Sequence, residues 1–416
     1  MGKIDLSQLT GLLKRVGALR SYAAMLWPGA IVLAGLLVLA AALLMGISLK
    51  QKIKEESIPM ATTVQSLLDS APALKQVEEE RRYEDAYERD ANLIMRLSMQ
   101  TTQRELLDYN IFPQPKDTSA LLFTRFGNRF RQQVEGLIAQ VKGGNCPSEE
   151  ELQTSVAKVT GAGRGSPAGL PSTTGPSEES MITEQICQRR AEAASVYTSA
   201  EDTSGYGFWS EYQYSSLEEG VKDCWFWQLG YWIIEDVFTT VEHLNAGSSG
   251  VNSSPVKRIM GIGFVTPDKL HAAGGKTPQD KPKYVTRPEE QLTMSLTGRL
   301  GNESIDVVHF SVVAVVSVNA IIPFMQELCS EKEHRFTGNT GENSAQSYKH
   351  NQISILESRV TAIRPEAPGH LRYRYGQEPV AEVELICEYL FNKKGYEPIY
   401  PEVLKPKTEP AAGGVY

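Results

Sequence analysis

The chain has 416 residues, and its 42 Lys and Arg against 50 Asp and Glu give a formal net charge of -8 at pH 7. An acidic balance argues against a nucleic-acid-binding protein, which would show a basic patch or stripe. The 5 cysteines have no CxxC spacing, which argues against a disulfide scaffold and against a zinc site built on paired cysteines.

An uncharged, mostly apolar run from Pro28 to Ser48 follows the N-terminal tail. It is long enough to cross a bilayer and too long for the apolar core of a cleaved signal peptide. We therefore predict a cytoplasmic tail over 1–27 and a single transmembrane helix over 28–49. The predicted membrane-anchoring residues are Trp27, Ile31, Leu36, Leu39, Leu43 and Leu44.

The balance of Lys and Arg on the two sides of this run slightly favours a cytoplasmic N-terminus. The expected location is a bacterial inner membrane, with the bulk of the chain in the periplasm. Residues 2–20 have apolar side chains at helical spacing. This pattern predicts a helix on the membrane surface or a continuation of the anchor, and the alternative is a docking peptide for a cytoplasmic partner.

Residues 50–112 combine high charge with a narrow apolar seam, a pattern typical of a coiled-coil stalk. Pro59 and Pro72 are expected to interrupt it. The predicted dimer interface of the stalk consists of Val64, Leu67, Leu74 and Val77. The alternative is a solitary helix packed on the globular part.

The region 113–220 is predicted to be helical, with an amphipathic helix over 119–142 and a flexible insertion rich in Gly, Pro and Ser over 160–180. The GxG pattern at Gly161 and Gly163 falls in that insertion. No strand precedes it, so we interpret it as a linker and not as a nucleotide site.

The residues from 221 to 404 predict a ferredoxin-like domain. A very apolar helix over 221–246 precedes a strand over 256–265 and a loop over 266–290. A strand over 305–318, a helix over 319–332 and two strands over 352–365 and 380–391 complete an α-β-β-α-β-β order. The fold class is therefore α+β, and the tail over 405–416 is expected to be disordered.

Trp225, Trp227 and Trp232 crowd the apolar helix. Their simplest interpretation is a core helix packed on a sheet, and the alternative is an aromatic surface for a partner or a glycan. Most of the cysteines are expected to be buried thiols. A bridge between Cys329 and Cys387 would require an oxidising compartment.

The sequence contains none of the phosphate-loop, nucleophile-elbow, zinc-protease or EF-hand motifs. Its 6 histidines are scattered. Glu382 and Glu384 alternate on one strand, and a polar outer face of a sheet explains them more simply than acid–base catalysis. We predict no catalytic, cofactor-binding or metal-binding residues.

The order of tail, anchor, stalk and α-β-β-α-β-β domain resembles the inner-membrane assembly proteins of type IV pili of the PilO (PilN/PilO) class and their type II secretion counterparts. The stretches that carry the resemblance are QLGYWIIEDVFTTVEHLNAG, VKRIMGIGF, IDVVHFSVVAVVSVNAIIPFMQEL, NQISILESRVTAI and AEVELICEYLF. The cytoplasmic Asn-Leu-Leu-Pro peptide of the PilN type is absent, which favours the PilO-like side.

The resemblance implies a non-catalytic scaffold that dimerises with itself or with an inner-membrane sister protein. It implies further links to a cytoplasmic actin-like ATPase and an outer-membrane secretin. Small α/β domains with exposed sheet edges pair readily with other chains. We expect the sheet-edge interface to include Val380, Glu382 and Glu384.

Two other classes compete with the scaffold. One is a membrane-anchored periplasmic module that binds a ligand or glycan in a pocket lined by the Trp225–Trp232 cluster. The other is an anchored cell-wall enzyme, which would need a catalytic acid or nucleophile in a cleft.

Overall fold

The computed structural model describes residues 23–70, 74–100, 102–160, 178–272, 280–350 and 352–405. The chain divides into two compact units, residues 1–89 and residues 90–416. Four predicted features lie at least partly outside the described residues. They are the amphipathic stretch 2–20, most of the flexible insertion at 161–177, part of the predicted loop at 273–279 and the tail at 406–416.

Two long helices form the N-terminal part of the described chain. Helix α1 spans Ala23–Ser70 and helix α2 spans Leu74–Met99. The expected interruption at Pro59 is wrong, because α1 continues through both Pro28 and Pro59. A proline removes one backbone hydrogen bond, and here the flanking turns keep the helix continuous. The second helix begins just beyond Pro72.

The rest of the chain is a mixed α and β unit. Its helices are α3 (Ala120–Gln140), α4 (Glu149–Thr160), α5 (Glu178–Ala193), α6 (Tyr206–Ser210), α7 (Leu217–Asn245), α8 (Pro267–Ala272), α9 (Ile321–Leu328), α10 (Pro368–Tyr373) and α11 (Lys393–Tyr396). Its strands are β1 (Gly143–Gly144), β2 (Val196–Tyr197), β3 (Val256–Gly263), β4 (Ile305–Ser317), β5 (Lys332–Phe336), β6 (Gln346–His350), β7 (Ile353–Ile363) and β8 (Val380–Asn392).

Six of the strands form one sheet in the order β1-β2-β3-β4-β8-β7. The four long strands β3, β4, β8 and β7 are antiparallel to their neighbours, and the short strands β1 and β2 add in parallel beside β3. Strands β4 and β8 pair without interruption from Ile305–Asn392 to Ser317–Val380. Strands β5 and β6 form a separate hairpin that the sequence pattern did not predict.

The main core lies between the sheet and helix α7. Strand β4 contributes alternate side chains to this core, and α3, α7 and α9 contribute the helical side. Ser216 caps α7 by accepting a hydrogen bond from the backbone N–H of Glu219 at 3.3 Å. Val313 and Val315 point to the opposite face of the sheet and join smaller apolar clusters there. Both faces of β4 are therefore buried, each in a different apolar cluster.

The three tryptophans of α7 are core residues. Trp225, Trp227 and Trp232 each have 0% of their surface exposed. The alternative of an aromatic docking surface on this helix is therefore wrong, because burial against α3 and the sheet removes all three rings from solvent.

The described parts of the region 113–220 pack with the C-terminal strands. Strands β1 and β2 come from residues 113–220 and pair with the same sheet as the C-terminal strands. Ala191, Val196 and Tyr197 from this region are also fully buried. The predicted boundary at residue 220 consequently does not separate two packing units. All five cysteines are free thiols, so the conditional bridge between Cys329 and Cys387 is not formed.

Candidate functional site

The exposed edge of the sheet is strand β7. Strand β8 pairs with one side of β7, and β7 ends the strand order of the sheet. Residues 357–362 of β7 are all exposed. The outer side of such a strand presents backbone N–H and C=O groups in the geometry that another strand would bind.

The predicted edge residues Val380, Glu382 and Glu384 do not lie at an edge. All three belong to β8, which pairs with β4 on one side and β7 on the other. The prediction was wrong because β7 and β8 follow each other in sequence, whereas the spatial order inserts β8 between β4 and β7. Val380 and Glu384 are buried there, with 1% and 7% of their surfaces exposed.

Charged side chains alternate along β7. Glu357 accepts a hydrogen bond from Thr293 at 2.5 Å, and Arg359 donates one to Glu384 at 3.0 Å. The register pairs Glu357 with Ile386 and Arg359 with Glu384. Both side chains therefore lie on the sheet face opposite helix α7, with the small residue Ser358 between them.

The predicted anchor and stalk residues lie on the two N-terminal helices. Helix α1 is long and apolar enough to span a membrane. The anchor residues Ile31, Leu36, Leu39, Leu43 and Leu44 are all exposed on it. The side chain of Trp27 lies outside the described residues.

The stalk residues Val64, Leu67 and Val77 are also exposed. Leu74 begins α2, but its side chain lies outside the described part of the chain. Apolar side chains among charged residues on α1 and α2 are the residue type from which a coiled-coil seam is built.

A buried polar cluster lies beneath the hairpin β5–β6. Arg104, shortly after α2, binds both carboxylate oxygens of Asp236 on α7, at 3.1 and 3.0 Å. The Tyr389 hydroxyl accepts a hydrogen bond from Arg104 at 3.1 Å and donates one to Asp236 at 2.8 Å. Glu235 is a further ion-pair partner of Arg104, and His350 lies 3.4 Å from Asp236.

The electrostatics of this cluster follow from burial. Burial by itself would raise the pKa of Asp236, but the Arg104 charge outweighs it and holds that pKa well below its usual range. The pKa of Glu235 is raised by burial, although Arg104 opposes the shift. Burial and the nearby Arg104 charge lower the pKa of His334 to about 3, so this imidazole is neutral at pH 7.

A cavity of about 570 Å³ adjoins the cluster. Helices α3 and α7, the segment around Arg104 and strand β5 surround it. Its polar lining includes Gln132, Gln133, Gln140, Thr239, His334 and Arg335. The cavity has the size of a small-molecule site, but such sites are usually lined mainly by apolar side chains.

The interactions within the cluster hold several chain segments together. Arg104, Asp236 and His350 have at most 5% of their surfaces exposed. Their hydrogen-bonding groups are directed at one another, so they hold the segment after α2 against α7, β6 and β8. The sequence signal that points to it is Glu235–Asp236, a charged pair between the apolar residues Ile233–Ile234 and Val237–Phe238 of helix α7. Sequence reasoning alone did not single it out.

One further group of side chains has the composition of a metal site. His271 on α8 lies 3.5 Å from Glu382 and 3.5 Å from Glu384, measured from Nε2 to the nearer carboxylate oxygens. Within the described ranges, the ligand atoms of these three residues lie within 4.8 Å of one another. The prediction of no metal-binding residue did not foresee this arrangement, because His271 lies more than a hundred residues before β8.

Comparison with known proteins identifies no relative. No family model matches the chain, and no curated protein and no solved structure matches it significantly. The functional argument therefore depends on the geometry of the chain itself.

Replacing Arg104 with Leu is predicted to lower the free energy of unfolding by about 3–5 kcal/mol, because Asp236 then keeps a buried charge without its cation. Arg129→Leu is the matched control. Arg129 is about half exposed and pairs at 3.5 Å with Asp108, which keeps Arg125, so its loss should cost less than about 1 kcal/mol. Urea denaturation of both variants measures the two losses of stability. Equal losses would contradict the role of Arg104 in holding the chain segments together.

The contribution of Asp236 is predicted to depend on pH. Its pKa is depressed in the folded state, so its charge stabilises the fold at pH values above the unfolded pKa of about 4 and loses that effect as the pH falls further. The stability gap between wild type and Asp236→Asn should therefore be large at about pH 6 and shrink below about pH 4. Urea midpoints across this range measure the gap. A gap that does not change with pH would refute the assignment.

Proposed function

We propose that this protein is a non-catalytic membrane-anchored scaffold whose globular unit pairs with another chain through strand β7. The single observation that carries the proposal is the exposed edge at residues 357–362. An isolated edge of this kind favours unwanted pairing unless a partner covers it. A scaffold protein binds another chain as part of its function, and that chain would cover the edge.

The helix α1 supports the anchoring part of the proposal, since it is long and apolar enough to span a membrane. We infer a bacterial inner membrane, a cytoplasmic N-terminus and a periplasmic globular unit. Two units held on one membrane meet at a raised effective concentration, so a modest edge contact is sufficient for association.

The charges on β7 favour pairing between two copies of this chain. An antiparallel pair centred on Ser358 would place Glu357 of each copy opposite Arg359 of the other. Opposite charges at directly facing positions contribute roughly 0.2–1 kcal/mol each.

The arrangement of α7-β3-β4-α9-β7-β8 supports a PilO-like architecture. The spatial order β3-β4-β8-β7 is antiparallel throughout, and α7 and α9 share one core with one face of the sheet. This is the order expected of a ferredoxin-like α-β-β-α-β-β unit. On this proposal the short strands β1 and β2 and the hairpin β5–β6 are additions specific to this chain.

We infer from this architecture a role in a type IV pilus-like or type II secretion-like machine. The stalk seam of Val64, Leu67, Leu74 and Val77 would form a coiled coil with the same partner. An inner-membrane sister protein is the alternative to self-association. A cytoplasmic actin-like ATPase and an outer-membrane secretin are the more distant partners.

A second candidate function is a membrane-anchored module that binds a ligand or glycan. The observation that favours it is the polar cavity of about 570 Å³ beside Arg104. The tryptophans of α7 do not provide its ligand surface, because they are fully buried. Amide side chains on α3 and His334 on β5 would replace them as the contacts.

Crosslinking in intact membranes, followed by detergent extraction and mass spectrometry of the captured proteins, tests the function. Recovery of a sister membrane protein, an actin-like ATPase or a secretin would support the scaffold. Capture of a small molecule or glycan without any of these proteins would support the ligand-binding module and contradict the scaffold.

Replacing Val360 with Lys is predicted to weaken dimerisation at least about tenfold, because the association would bury an added charge at the edge. Folding should change by no more than about 0.5 kcal/mol, since Val360 is half exposed. Ile322→Lys on α9 is the matched control, because Ile322 is similarly exposed but lies away from β7. Light scattering of the detergent-solubilised protein measures the mass, and dimers that survive Val360→Lys would exclude this edge.

Replacing Leu67 and Leu74 together with Glu is predicted to abolish assembly, because charges in an apolar seam oppose helix pairing. The melting temperature of the globular unit should not change, since both residues lie in the separate unit 1–89. Gln65→Glu adds charge to the same helix beside the seam and should leave assembly intact. Loss of assembly in the Gln65 variant, or its survival in the double variant, would contradict the stalk interface.

A further inference from the structure

The face of the sheet opposite α7 brings two carboxylates of β8 together with an imidazole. Glu382 and Glu384 lie two residues apart on β8, so their side chains leave the same face of the strand. Helix α8 crosses that face and places His271 over both. The three side chains come from two elements that are distant in sequence.

The close approach of α8 to the sheet has a structural cause. Leu270, the neighbour of His271, packs over Gly261 and Gly263 of β3, next to the buried Val313 of β4. A Cβ atom at Gly263 would meet Leu270 at 2.7 Å. Glycine at this position therefore lets α8 lie close enough to the sheet for His271 to reach the carboxylates.

The distances suit ligands of a shared ion better than direct hydrogen bonds. The two contacts of His271 are 3.5 Å long, whereas a charged N–H···O bond is about 2.7–2.9 Å. Two ligands bound to one zinc ion at about 2.0–2.1 Å in tetrahedral geometry lie about 3.4 Å apart. The observed spacing needs little adjustment to enclose such an ion.

The net charge around the three side chains also favours a divalent cation. Arg359 binds Glu384 through the carboxylate oxygen Oε2, whereas Oε1 is the oxygen closer to His271. Arg359 also binds Asp268 at 2.9 Å. Three carboxylates and one guanidinium carry a net charge of minus two, and one divalent ion neutralises that charge.

Arg359 would also serve as a support for the ligand set. Partners that hydrogen-bond to metal-binding carboxylates fix their orientation and strengthen binding. The guanidinium holds Glu384 on one side and ties Asp268, one turn before His271, to the sheet. Glu384 is only 7% exposed, so its carboxylate is oriented by its surroundings before any ion arrives.

We propose that His271, Glu382 and Glu384 bind one divalent transition-metal ion of the zinc type, with a fourth position open to water. Mixed nitrogen and oxygen ligands are typical of zinc and its neighbours and unlike the all-oxygen sites of calcium and magnesium. The ion would join α8 to β8 and so hold the chain segment around α8 against the sheet. This site goes beyond the proposed scaffold function and does not require it, although Arg359 takes part in both proposals.

Cobalt is the probe, because tetrahedral cobalt absorbs visible light and zinc displaces it. The full-length protein in detergent, dialysed against a chelator, should bind one equivalent of Co²⁺ and lose the absorption when Zn²⁺ is added. His271→Ala and Glu382→Gln should each weaken binding at least about tenfold, since either change removes a ligand. His243→Ala is the matched control, because His243 forms an exposed pair with Glu327, and it should bind cobalt normally.

Absence of visible cobalt absorption in the wild type would overturn the site, as would unchanged binding in both ligand variants. Circular dichroism of the metal-free variants separates loss of a ligand from loss of folding. His271 and Glu382 are partly exposed, so both variants should keep the secondary structure of the wild type. Cobalt binding weakened by about tenfold in an Arg359→Gln variant would show that the guanidinium helps to orient the ligands.

Discussion

The uninterrupted pairing of β4 with β8 is the constraint on which the rest of the structure depends. It places alternate residues of each strand toward α7 and the others toward α8. A shift of one residue would reverse the two faces of β8. Leu385 and Cys387 would then leave the core, and Glu382 and Glu384 would enter it. Because β4 occupies one side of β8, β7 pairs with the other side and becomes the outer strand.

Buried charge adds a second constraint on the same unit. Arg104 and Asp236 are both removed from water, and each stabilises the charge of the other, with Glu235 as a second partner of Arg104. The contact joins a segment near the end of α2 to α7 and to Tyr389 on β8. Arg104 lies in the segment that follows α2, so this ion pair holds that segment against α7.

Much of the secondary structure was predictable from the apolar pattern, because α3 buries one face and α7, β4 and β8 are apolar segments buried on nearly all sides. The hairpin β5–β6 escaped prediction because its polar residues show no such period. The predicted edge position of Val380 was wrong because the spatial order of the strands is set by tertiary pairing. Arg104 contacts Asp236, and His271 contacts Glu382, although the residues of each pair lie more than a hundred positions apart in the sequence. A local sequence pattern therefore could not predict either contact.

Crosslinking of single cysteines along β7 tests the central claim most directly. Cysteine is introduced in turn at positions 357–362 of the full-length protein, and a short bifunctional thiol reagent is added in membranes. The account predicts the strongest dimer band at Ser358, where the two copies meet. It predicts little at Thr361, whose counterpart would lie about 20 Å away along the strand. A uniform or absent signal across these positions would contradict pairing through β7.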